Sequence, residues 1–98
     1  MTINKTSNGT NLIIALEGHL DTTTAPQLEA EVKNSLSDVK HLTFDFSRLD
    51  YISSAGLRVL LSAQKVMNKQ GSMRITNVNE TIMEVFDVTG FVDILTIE

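Results

Sequence analysis

The sequence predicts an α/β domain ordered ββαβαβαβ, with a mixed, mostly parallel sheet of about five strands and the helices packed on one face. Three observations predict it. Segments with apolar residues at every second position alternate with segments where they recur at helical spacing. Asn8-Gly9 lies between the first two extended segments, and an Asn-Gly pair there marks a hairpin, hence an antiparallel start. The 98 residues are 42% hydrophobic and contain no Ser/Pro/Gly-rich linker or internal repeat, so residues 1–98 are expected to form one domain around one core. The strand–helix–strand alternation calls for right-handed crossovers.

Each element has its own justification. After the hairpin turn, Leu12, Ile14 and Leu16 point to one side of a strand while Ile13 and Ala15 point to the other. Both sides are apolar, which predicts a central strand covered on both faces. "GHLD" leads to Thr24-Ala25-Pro26-Gln27, where Thr24 is placed to cap a helix, Pro26 fits its first turn and Gln27 can close a capping box. With Ala25, Leu28, Val32 and Leu36 at helical spacing, this helix is expected from about 24 to 37. "HLTFDF" alternates as a strand. In "LDYISSAGLRVLL" and beyond, Gly56, Val59, Leu60, Ala63 and Met67 form an apolar stripe opposite Arg58, Ser62, Lys65 and Lys69. Gly71 ends that helix at about residue 70. "MRIT" reads as a short strand, "NETIMEVFDV" as a helix capped by Asn79 and ended near Gly90, and "DILTI" as a last strand.

Charge and composition exclude several functions. The net charge is −4, and the eight Lys and Arg are scattered without a cluster, so nucleic acid is not an expected partner. The absence of cysteine removes disulfides, thiol nucleophiles and Cys metal sites. The longest apolar run, Leu12 to Leu16, is far short of the ~20 residues of a membrane span. "MTINKTSNGT" lacks the apolar core of a secretory signal, so a soluble, cytoplasmic protein is expected.

The adjacent serines Ser53 and Ser54 open a helix, which raises the question of a nucleophile. The strand-to-helix elbow of the α/β-hydrolases needs glycine two residues before and two after the serine. Gly56 follows Ser54, but Ile52 precedes it, and neither His19 nor His41 is tied to it by sequence. A phosphate-cradling loop needs more glycines and a lysine than "SSAGLR" offers. The two histidines are too far apart and too isolated to suggest a metal site. Neither an enzyme, a metal nor a cofactor is expected. The plain structural role for Ser54 is the helix N-cap, worth ~1 kcal/mol against alanine.

The residues of "FDFSRLDYISSAGLRVLL" resemble the phosphorylation-site segment of the sulfate transporter and anti-sigma factor antagonist (STAS) domain family. Asp45, Leu49, Ile52, Ser54, Gly56 and Leu57 fall on its pattern. "GHLD", Gly18 to Asp21, is similar to the family's Gly-x-Leu-Asp turn, and "VFDVTGF", Val85 to Phe91, to its Leu-Phe-Asp-x-Ser/Thr-Gly segment. The three matches lie in register along nearly the whole chain.

The resemblance to single-domain bacterial anti-sigma factor antagonists implies a partner-switching cycle. The unmodified antagonist binds an anti-sigma factor that is also a serine kinase, and sigma factor is released. Phosphorylation of the serine ends the binding, and a serine phosphatase resets it. The motif assigns Ser54 as the phosphorylated residue, with Ser53 as second choice because it replaces the family's usual Asp. Ala55 stands where the family has Ser or Thr. Partner contacts are expected from Asp21, Thr22, Ser53, Ser54, Gly56, Leu57 and Arg58. Among these, Leu57 lies off the apolar stripe and is expected as an exposed anchor, Gly56 to admit a close backbone or else to pack the helix on the sheet, and Asp21 to reach the partner or else to make an Asx turn. The alternative function is a constitutive STAS interaction subunit of a transport or sensory complex, without phosphorylation.

Overall fold

The hairpin forms one position beyond the Asn-Gly pair. Strands β1 (Thr2–Asn8) and β2 (Asn11–Leu20) are joined by Gly9 and Thr10, with Asn8 paired to Asn11. Gly9 has a φ of +65°, a left-handed conformation that costs glycine nothing sterically. In the computed structural model, which describes residues 1–98, there follow α1 (Ala25–Ser35), β3 (His41–Ile52), α2 (Ser54–Gln70), β4 (Ser72–Thr76), α3 (Glu80–Thr89) and a 3₁₀ turn, Phe91–Asp93. The sheet order is β1-β2-β3-β4, antiparallel at β1/β2 and parallel at β2/β3 and β3/β4.

One face of this sheet is buried. Leu12, Ile14 and Leu16 of β2, Leu42, Phe44 and Phe46 of β3, and Met73 and Ile75 of β4 join Leu28 and Val32 of α1, Leu60 and Met67 of α2, and Ile82 and Phe86 of α3 in a single apolar cluster. The helices lie on one face, as expected. The other face is open, which corrects the expectation for β2. The strand is central, yet Ile13 is 43% exposed, because all three helices pack their apolar sides onto the face that Leu12 and Ile14 supply.

Two strands depart from their sequence bounds. β3 runs past Phe46 to Ile52 by way of two register shifts against β2, between Ala15 and Glu17 and between Gly18 and His19. At each, β3 carries an extra residue. Its buried side chains therefore alternate at Leu42, Phe44 and Phe46, then continue at Leu49 and Ile52. The expected fifth strand shrinks to a single parallel bridge, Ile75 to Ile97. Residues 93 to 95 turn their N–H groups onto Gly90 and Phe91 instead, leaving only Thr96 and Glu98 to bond β4.

The helix ends follow their punctuation. Asn79 Oδ1 accepts from Ile82 N at 2.8 Å, and Gly90 closes α3 with a φ of +79°. At the end of α2, Ser72 N donates to Lys40 O at 2.8 Å, and a Cβ on Gly71 would overlap that same carbonyl. Gln70 Nε2 reaches Leu36 O and Val39 O, each at 2.6 Å, and so holds the loop between α1 and β3.

Candidate functional site

Parallel pairing decides what lies beside the two serines. Leu20 and Ile52 are partners at the carboxyl ends of β2 and β3, and Ser53 N donates to Leu20 O at 2.9 Å. Asp21 and Ser53 therefore leave the sheet side by side, on the edge where open α/β sheets place their sites.

On the β2 side the chain enters α1 through a closed set of hydrogen bonds. Asp21 Oδ1 accepts from Thr23 N at 2.9 Å and Thr24 N at 3.1 Å. Thr24 Oγ1 accepts from Asp21 N at 2.9 Å and donates to His19 O at 2.8 Å. The Thr24 backbone N–H, helped by that of Thr23, holds the Asp21 carboxyl below its ordinary value of 3.8. Asp21 thus makes the Asx turn, and only its second oxygen, Oδ2, is left without a bond to this chain. Thr24 stands at the N-cap position without a side-chain cap bond, so the expected capping box with Gln27 is absent. Its hydroxyl is committed to the strand end.

On the β3 side the hydrogen bonding is sparse. Ser53, not Ser54, is the N-cap of α2, with extended φ and ψ of −105° and 177° and no side-chain cap bond. Its Oγ is buried and has no partner. Ser54 is the first residue of the helix and is exposed. This corrects the expected capping role of Ser54, because the chain turns into the helix one residue earlier.

Burial decides the roles of two neighbours. Gly56 is buried, and a Cβ there would come within 2.7 Å of Leu20 Cγ and 2.8 Å of Ile52 Cγ1. Its smallness seats α2 on the sheet, the second of the two roles expected for it. Leu57 is 5% exposed and belongs to the core. The buried arc of α2 is wider than the stripe expected, because Leu57, Leu60, Gln64 and Met67 form a second row beside Gly56, Val59 and Ala63. Thr22 and Arg58 are exposed and border a hollow of about 300 Å³ between α1 and α2, with Pro26 and Ser62.

Tyr51 was not anticipated. It is 45% exposed and meets His19 edge-on, ring centroids 6.1 Å apart, next to the point where Asp21 and Ser53 leave the sheet. The register shift that inserts Asp50 turns Tyr51 away from the core, a displacement that simple alternation does not reveal. Asp45 lies in mid-strand, where its Oδ1 accepts from Asn77 Nδ2 at 3.0 Å and Ser47 N at 2.9 Å. Chiefly through the Asn77 bond, its carboxyl also lies below 3.8. The histidines make no hydrogen bond to Ser54; His41 Nδ1 instead lies 2.8 Å from Ser72 Oγ.

A family model described as the STAS domain matches residues 2–98. The chain belongs to the STAS domain family. Among STAS relatives, it is 40% identical over 85 residues to BtrV of Bordetella bronchiseptica, a protein named as an anti-sigma factor antagonist, covering 85% of this chain and 73% of that protein. It is 29% identical over 91 residues to the anti-sigma-B factor antagonist of Bacillus subtilis, covering 92% of this chain and 84% of that one. The solved structure of the Bacillus cell fate determinant SpoIIAA in its phosphorylated form superimposes with a TM-score of 0.77 at 20% identity, over 99% of this chain and 91% of that one. At that identity the likeness speaks for the STAS fold alone.

Proposed function

We propose that this STAS domain is an anti-sigma factor antagonist that works by partner switching, with Ser54 as its phosphorylated residue. Its unmodified rim binds an anti-sigma factor that is also a serine kinase, and a serine phosphatase restores the unmodified form. The observation that carries the assignment is the contrast between the serines. Ser54 is exposed at the first residue of α2, whereas Ser53 Oγ is buried. A kinase active site must reach the acceptor oxygen, and only Ser54 offers one. The likeness to BtrV supports the partner class.

The chemistry of the switch follows from where Ser54 sits. A phosphoryl group adds roughly −1.5 to −2 charges at neutral pH. The first N–H groups of a helix have no intrahelical acceptor and favour an anion, so the domain tolerates the modification. A partner surface packed flush on Ser54 does not, since it would bury both the bulk and the charge. Asp21 Oδ2, Thr22 and Arg58 supply polar contacts around the acceptor. The protein supplies the acceptor and the docking surface, and the kinase supplies ATP and catalysis.

The test is phosphopeptide mapping of the protein recovered from its host with phosphatases inhibited. Phosphate on Ser54 is expected, together with loss of kinase binding in Ser54→Asp at nearly unchanged thermal stability. Phosphate on Ser53 would overturn the choice of acceptor. No phosphate under several growth conditions, with Ser54→Asp still binding, would point to a constitutive STAS interaction subunit.

A further inference from the structure

The opposite end of the sheet carries a second candidate site, unconnected with the serines. β2, β3 and β4 start side by side, with Asn11 opposite His41 and His41 opposite Ser72. On the open face beside these starts lies a depression of about 370 Å³, within the range of small-molecule pockets. None of its ten lining residues is an Asp or Glu, in a chain that has 12 of them against eight Lys and Arg. The one full charge in the lining is Arg74, accompanied by His41, the hydroxyls of Thr6, Thr43 and Ser72, and side-chain amides.

The donors are held in place. Arg74 Nε donates to Thr43 Oγ1 at 3.1 Å, and His41 Nδ1 and Ser72 Oγ are 2.8 Å apart. The outer edge of the guanidinium already takes a carboxylate, since Nη1 donates to Glu98 Oε2 at 3.2 Å. Both side chains of that pair are more than half exposed, 56% and 52%, so the contact is weak and exchangeable. Nη2 has no partner on the chain. A guanidinium oriented through Nε, whose terminal edge carries one exchangeable contact and one free N–H₂ group, suits the planar fork of a carboxylate. Ile13, 43% exposed in the same depression, gives apolar surface to a short carbon chain.

We propose that this depression binds a short-chain organic carboxylate, with Arg74 pairing its carboxylate in place of Glu98 and Ile13 under its carbon chain. The experiment is a titration of the ¹⁵N-labelled full chain with butyrate, followed by amide NMR, with inorganic phosphate in parallel. Saturable shifts are expected at His41, Thr43, Ser72 and Arg74. Arg74→Gln should weaken binding about tenfold or more, whereas Glu98→Ala should strengthen it about threefold by freeing the guanidinium. Opposite signs for two exposed residues keep the test independent of folding. Shifts that do not saturate, equal binding by Arg74→Gln, weaker binding by Glu98→Ala, or tighter binding of phosphate than of butyrate would each overturn the proposal.

Discussion

α1 begins behind Asp21 and Thr24, where one carboxylate oxygen and one hydroxyl are joined in a network of hydrogen bonds to the backbone and to each other. Its neighbour α2 begins behind Ser53, whose hydroxyl makes none. The first helix start is therefore fixed by polar bonds in the turn, and the second by packing, through Gly56 on Leu20 and Ile52 and through buried Leu57. Polar anchoring commits the groups that supply it. Packing leaves the amino-terminal N–H groups of α2 with no side-chain acceptor in competition, so a charge arriving on Ser54 has donors waiting.

The largest effect should come from removing the packing. Gly56→Val forces branched carbons into Leu20 and Ile52 and should destabilise the fold by about 3 kcal/mol, read from urea unfolding. Thr24→Val keeps the shape of the side chain and deletes its bonds to Asp21 and His19, for an expected loss of about 1–2 kcal/mol in the same assay. Ser53→Ala removes a buried hydroxyl that bonds nothing, so stability should stay within about 0.5 kcal/mol or rise slightly. A loss at Ser53 as large as that at Thr24 would break the distinction between the two helix starts.

The smallest effect is one of pH. Asp21 is depressed in the folded state, so its contribution is present above the ordinary value of 3.8 and fades as pH falls through the folded value. Asp45 acts with the same sign, so the informative quantity is the difference between the native chain and Asp21→Asn. Their stability curves should stand apart at neutral pH and converge in acid. Curves that remain parallel below 3.8 would remove Asp21 from the polar anchor.

Much of this was legible from local chemistry. Asn79 and Gly90 bound α3, Gly71 stops α2, and the GHLD turn and the serine pair meet where parallel strands must bring them. The misreadings arose from tertiary choices. Ile13 is as apolar as Ile14, and only the number of helices on each face decides which is covered. Leu57 lies off the single stripe that helical spacing shows, yet the first turn of α2 is wedged deeply enough to bury two rows, so the expected exposed anchor is a core residue. Tyr51 depends on an inserted residue in β3, and the last strand on a 3₁₀ turn that captures its backbone groups first. The buried oxygen of Ser53 had no signature in the sequence, since the neighbouring serine is chemically identical.

The two parallel crossovers have consequences for the speed of folding. Contacting residues across β2 and β3, Glu17 and Arg48, are 31 positions apart, as are His41 and Ser72 across β3 and β4. The opening hairpin closes over two residues, a microsecond event for an isolated hairpin, whereas each crossover must bring together ends separated by a whole helix. Loop-closure entropy depends only weakly on length, so two crossovers of equal span impose nearly equal search costs, and neither has an entropic head start. Which one docks first then rests on the strength of its contacts. β3, shared by both, is where the rate-limiting nucleus should centre, with β1 joining at little further kinetic cost.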